Sequence, residues 1–151
     1  MDAGAVDTFS VSACGDTPGT SAEAYTGLIR LTVSGVVMIG QFDAMDAFYG
    51  MHPDTLSVSR GDCPDCFRYN RVSEGGCVCG AECANTSHRV VDLLTGAYPE
   101  FSATHTYGLE LDLGSLPAER LNFGIQDCGC DDNSETLTIT VARPGDGSCT
   151  P

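Results

Sequence analysis

The sequence predicts an all-β domain: an antiparallel β-sandwich or jelly roll carrying a Cys-rich excursion stapled by disulfides. Three observations point there. Segments with an apolar residue at every second position dominate the chain, turn residues separate them, and no stretch of a dozen residues holds a 3.6-residue period. In chain order, Phe9 and Val11 alternate with Thr8, Ser10 and Ser12, and "LIRLTV" at 28–33 is closed by Ser34-Gly35. Tyr107, Leu109, Leu111 and Leu113 share one face, opposite Glu110 and Asp112. Leu121, Phe123 and Ile125 alternate with Asn122 and Gly124, and Leu137, Ile139 and Val141 with Thr136, Thr138 and Thr140. The turns fall at Gly19, Gly35, Gly50, Gly114-Ser115 with Pro117, and Pro144-Gly145. "SHRVVDLLTG" is the nearest approach to a helix and reads equally well as a strand. Strands of this kind lose their exposed edges and bury one face each when two sheets stack.

A chain of 151 residues suits one domain, 1–151, and is long enough to bury about two-thirds of its unfolded surface. The segment 60–88 stands out as a Cys-rich insertion. Between 60 and 83 it holds five of the nine cysteines and few core-type residues, so a long cross-linked loop is expected there. Seven basic residues against 21 acidic ones give a net charge of −14. Such a chain has little with which to neutralise phosphates or an anionic membrane surface, so nucleic acid is excluded as a partner. No apolar run approaches the roughly 20 residues of a membrane span. The first residues show neither a basic n-region nor an apolar h-region, so the expectation is a mature form with an added Met, or export without a signal. Asn85-Thr86-Ser87 is a glycosylation acceptor pattern.

Nine cysteines point to an oxidising, extracellular or cell-surface location. Cys63-x-x-Cys66 followed by Cys77-x-Cys79 and Cys83 admits two readings. Four thiolates at such spacings hold structural zinc, but a zinc ribbon shows two CxxC knuckles, and the second here is CxC with an extra CxxxC. Disulfides are the preferred reading and zinc the alternative. Cys128 and Cys130 are expected to bond to different partners, including the 60–83 segment. Cys14 and Cys149, near the two termini, are expected to pair. The odd count leaves one thiol free or intermolecular.

The stretch "QDCGCDDNSETLTITV", 126–141, concentrates hard oxygen donors ahead of an alternating strand. Calcium takes six to eight such oxygens, and Asp127, Asp132 and Asn133 offer side-chain donors while the Cys-Gly-Cys backbone between them can turn carbonyls inward. The competing reading is an Asp/Asn-rich turn whose side chains bond their own backbone. Asp131 is expected to face water. His52, His88 and His105 are dispersed and read as surface or packed residues. Asp43 and Asp46 form a possible carboxylate pair in a sheet-edge loop. Arg60-Gly61-Asp62 is a tripeptide expected by composition. No G-x-S-x-G or H-E-x-x-H appears, and a catalytic role is not expected.

Several stretches resemble a known family. "FGIQDCGCDDNSETLTITV", "YTGLIRLTVSG" and "MHPDT" are similar to the final strand–loop–strand, the strand before the first calcium loop and the His-Pro pair of bacterial galactose-binding lectins of the PA-IL (LecA) type. "DAFYG" and "YPEFSATHTYGLELDLG" resemble related bacterial sandwich domains. The resemblance implies calcium on Asp127, Asp132 and Asn133, with a backbone carbonyl from the 126–131 loop and another near Ile39. It further implies a sugar whose adjacent hydroxyls bind the ion, with His52 and Asp54 at the rim. The chain departs from the family in a shorter acidic loop, in Thr55 where the family offers Gln, and in the Cys-rich segment. The function expected is calcium-dependent recognition of a carbohydrate, with galactose as the sugar the resemblance implies, without catalysis. The alternative is a calcium- and disulfide-stabilised subunit of a filament, surface layer or adhesin, self-associating by strand addition through its polar N-terminus.

Overall fold

The computed structural model describes residues 5–12, 18–39, 44–52, 54–56, 58–74, 87–125 and 133–143. Strands account for about half of the described residues, and helix is confined among them to 3-10 turns at Val72–Glu74 and Val90–Leu93. In chain order the strands are β1 (Ala5–Ser12), β2 (Gly19–Thr20), β3 (Leu28–Ser34), β4 (Val37–Ile39), β5 (Ala44–Met45), β6 (Tyr49–Met51), β7 (Val58–Asp62), β8 (Phe67–Arg71), β9 (His88–Arg89), β10 (Thr106–Asp112), β11 (Leu121–Ile125), β12 (Asn133–Ser134) and β13 (Thr136–Ala142). They form three antiparallel sheets, ordered β1-β13-β3-β10, β2-β11-β8-β9 and β12-β4-β5-β6-β7.

The first sheet is built from the strands with the cleanest alternation. Ile29, Leu31 and Val33 of β3 point into the core with Leu137, Ile139 and Val141 of β13, while Arg30, Thr32, Thr136 and Thr138 face out. Register fixes this choice, because a one-residue slip would turn every apolar side chain to water. β1 pairs with β13 along most of its length, Thr8 opposite Thr140 and Val11 opposite Leu137. The N-terminal segment is therefore an edge strand of this chain's own sheet.

Four phenylalanine rings tie the three sheets to one core. Phe9 of β1 lies 6.0 Å from Phe123 of β11, Phe123 lies 5.8 Å from Phe67 of β8, and Phe67 meets Phe48 edge-on at 6.0 Å. Each fully buried ring among them contributes about 1.5–3 kcal/mol through the area it removes from water. β2 crosses β1 so closely that a Cβ on Gly19 would lie 2.5 Å from the Ser10 carbonyl oxygen, which only glycine avoids. Gly35, with φ +117°, carries the chain from β3 to β4 in a conformation that side chains rarely adopt.

Two expectations need correction. The first half of the presumed loop at 60–83 is sheet: β7 is the edge strand of the five-stranded sheet, residues 63–66 carry the chain across to the second sheet, and β8 sits there between β11 and β9 with Phe67, Tyr69 and Asn70 buried. Residues 75–86 lie outside the described residues. Strand β11 is buried at all five positions rather than on one face. Its second face carries Asn122, which donates to Asn70 at 2.8 Å and accepts from Thr20 at 2.6 Å. "SHRVVDLLTG" divides between β9 and the 3-10 turn Val90–Leu93.

Candidate functional site at one end of the five-stranded sheet

The sheet β12-β4-β5-β6-β7 has two ends of different character, set by its register. Asn133 pairs with Ile39 and Ser134 with Met38; Met38 pairs with Ala44, and Ala44 with Met51. In this register Ile39 and His52 follow Met38 and Met51 at the same end as Asn133 and share one row with it. Three strand spacings separate its extremes, about 14 Å at roughly 4.8 Å per strand. His52 is exposed, and its carbonyl accepts the Leu56 N–H at 2.8 Å, closing a turn that presents the exposed Asp54. Leu56 completes the turn at φ 55°. The two resemblance-derived groups of residues thus share one sheet end without touching: Asn133 and Ile39 pair on the ladder, and His52 with the Asp54 turn follows β6, three strands from β12 and two from β4. Asp127 and Asp132 lie outside the described residues, as do Asp43, Asp131, Cys14, Cys77, Cys79, Cys83, Cys128, Cys130 and Cys149.

The opposite end is closed around Asp46, whose side chain is fully buried. One carboxylate oxygen accepts the Phe48 and Tyr49 backbone N–H groups, each at 2.9 Å, forming the turn from β5 to β6. The other accepts the Tyr107 hydroxyl at 2.7 Å and faces His105 Nδ1 at 3.1 Å. The Tyr107 hydroxyl accepts in turn from the Ser102 N–H at 3.2 Å. Burial first, then the hydrogen bond to Asp46 and its charge, push the Tyr107 hydroxyl well above the usual phenol range, against the Ser102 N–H. His105 is held at φ 57°, an uncommon conformation that aims its ring at Asp46. Rings enclose the group: Phe48 and Tyr107 meet edge-on at 5.0 Å, and Phe101 and His105 at 5.6 Å. With four donors on one carboxylate, this is a satisfied structural hub that leaves little capacity for a ligand.

No family model, curated protein or solved structure matches this chain.

Cys63 and Cys66 form a disulfide in the turn that connects β7 to β8, which removes this pair from the zinc alternative. The Cys63 N–H anchors that turn beside the Asp46 hub, donating to the Phe48 carbonyl at 2.7 Å and the Tyr98 hydroxyl at 3.1 Å. Among the described residues no three His, Cys, Asp or Glu side chains gather closely enough to hold a metal. His88 is far from the other two histidines in its contacts, 2.8 Å from Glu74 on β9's side of the second sheet. Burial alone would raise the Glu74 carboxyl, but the Arg71 backbone N–H and His88, with the Arg71 guanidinium, outweigh it and hold the group below its ordinary range. The Asp46 hub escaped the sequence reading because its partners lie about sixty positions away; the local signal was an acid embedded in the apolar run "AMDAFY".

Proposed function

We propose that this chain is a non-catalytic, calcium-dependent carbohydrate-binding domain of β-sandwich form, acting outside the cell. The observation that carries the reading is the shared sheet end. In sequence the acidic stretch 126–132 runs directly into Asn133, Asn133 pairs with Ile39, and His52 stands exposed at the same end with Asp54 exposed in the turn after it. A calcium ion held by Asp127, Asp132, Asn133 and the Ile39 carbonyl would keep open positions for two adjacent sugar hydroxyls, which replace water on a hard cation at little geometric cost. The span of about 14 Å to His52, set by the strand spacing, is wider than one sugar ring. His52 and Asp54 therefore contact the next unit of an oligosaccharide rather than the ring on the metal. The sandwich assignment rests on the alternation of the first sheet and on the ring chain joining all three sheets to one core. The Cys63–Cys66 disulfide supports an oxidising location.

A glycan array probed with calcium and again with EDTA tests this function. Binding of galactose-bearing or related oligosaccharides that disappears in EDTA, and is weakened at least tenfold by His52→Ala, is expected. An array blank in both conditions removes the proposal.

The second reading is assembly into a filament or surface layer, and the position of β1 favours it. As an edge strand pairing with β13 alone, β1 is the element that copies of the chain could exchange. Size-exclusion chromatography decides: regular polymers support exchange, and a monomer at all concentrations rejects it.

A further inference from the structure

The outer face of the β1-β13-β3-β10 sheet is anomalous for a protein of net charge −14. Its register lays Thr8, Thr140 and Thr32 in one row and Ser10, Thr138, Ser34 and Thr106 in the next. Neither row contains a charge. Each row has a period of one strand spacing, about 4.8 Å, and the outward positions along a strand recur at about 6.7 Å. The first row ends at Gly108 of β10, opposite Thr32, where a Cβ would meet nothing within 4 Å. The missing side chain leaves a hollow of about 250 Å³ bounded by Thr32, Arg30 and Glu110. Arg30 and Glu110 are cross-strand partners, yet Arg30 makes no ion pair or hydrogen bond through its side chain among the described residues. Glu110 receives the Thr95 hydroxyl at 3.0 Å on one oxygen. The hollow thus has a planar array of donors on one wall, a carboxylate acceptor on the other and a hydroxyl of either role beside them.

We propose that this face is a second carbohydrate site, independent of calcium, on which a neutral polysaccharide lies along the hydroxyl rows with one sugar unit seated over Gly108. Sugar hydroxyls both donate and accept, so vicinal hydroxyls satisfy Arg30 and Glu110 together. The uncharged rows offer hydrogen-bonding positions to a neutral chain, whereas the chain's net charge of −14 disfavours a polyanion. The hollow is below the usual volume of a drug-sized ligand pocket and suits one unit of a longer chain. The site shares no residue with the proposed calcium site and does not depend on it.

Affinity electrophoresis in EDTA, through gels containing a neutral glucan, a neutral galactan or the acidic polysaccharide alginate, tests the proposal with wild type, Gly108→Thr and an Arg30→Ala/Glu110→Gln double variant. Gly108→Thr fills the hollow at a strand position with open space, so thermal stability should hold or rise. The expected result is retardation of the wild type by a neutral polysaccharide but not by alginate, with the apparent affinity reduced at least tenfold in both variants. Asp132→Ala should leave this EDTA-resistant retardation unchanged, which separates the site from the calcium reading. Absence of retardation by either neutral polysaccharide overturns the proposal. So does equal retardation of Gly108→Thr, retardation by alginate alone, or a concentration-dependent dimer that Gly108→Thr abolishes without any polysaccharide effect.

Discussion

At one end of the five-stranded sheet, Asp46 is sealed from water with both carboxylate oxygens engaged; at the other, Asp54 and His52 stand in solvent, three strands from β12. Both ends are built from the same short strands, β4 to β6, and differ in what lies beyond them. Beyond the Asp46 end the chain packs Phe48, Tyr98, Phe101 and Tyr107, so the carboxylate must be neutralised by hydrogen bonds from its own surroundings. A buried carboxylate left without such partners would be strongly destabilising. Beyond the other end lies the turn that presents Asp54 to water. The difference separates a carboxylate used to fold the chain from one left in solvent.

Substitutions at the two ends should differ sharply. Asp46→Ala leaves the Phe48 and Tyr49 N–H groups, the Tyr107 hydroxyl and His105 without their shared acceptor, and should destabilise by about 3–5 kcal/mol. For a chain of this size that lowers the melting midpoint by on the order of 10 °C. Asp54→Ala, at the exposed end, should stay within about 0.5 kcal/mol in the absence of ligand. Comparable losses at both positions, read by thermal unfolding, would erase the distinction.

Alkaline pH loosens the hub end from a different direction. The hydroxyls of Tyr98 and Tyr107 are raised first by burial, so the folded state holds these protons at a pH where the unfolded chain releases them. Their stabilisation is complete below about pH 10 and is lost as pH rises above it. Tyr107→Phe should destabilise by about 1–2 kcal/mol at neutral pH, through the lost hydrogen bonds to Asp46 and Ser102, and should flatten the alkaline limb of the stability profile. An unchanged alkaline limb in this variant would show that the phenol is not part of the sealed end.

Glu74 calibrates the middle of the range. It is partly exposed, with a carboxyl lowered by the Arg71 N–H and His88 against the opposing effect of burial. A lowered carboxyl stabilises above its unfolded value, near pH 4.3, and the contribution disappears as pH falls through the folded value. With solvent screening its effect is at most about 1 kcal/mol. Glu74→Gln should therefore be slightly less stable than wild type at pH 7 and equal to it at pH 2, by urea unfolding.

The strands that the sequence makes legible are those with one wet and one dry face: β1, β3, β10 and β13 show it residue by residue, and the apolar half of β11 was equally plain. The strands that bear the candidate site were not legible. β5 is two residues long and buried at both, and β6 reads Tyr-Gly-Met, so neither carries an alternation to detect. β8 does alternate, as Phe67-Arg68-Tyr69, but its five-residue signal is set among cysteines that suggested a loop. The donors of the acidic loop were visible by type and spacing, whereas the ladder bringing Asn133 to Ile39 is a long-range pairing with no local trace. Asp46 shows the reverse problem: an acid in an apolar run signals a buried partner without saying which of the distant residues supplies it.

Thermal unfolding of the wild type in calcium and in EDTA, beside Asp127→Ala and Asp132→Ala, tests the calcium site most directly. Ligand binding to the folded state alone adds about 2.7 kcal/mol at a hundredfold excess over the dissociation constant. The expected result is a wild-type midpoint raised by about 5–10 °C in saturating calcium, reversed by EDTA, with both variants indifferent to the ion. A wild-type midpoint that is the same in calcium and in EDTA contradicts it.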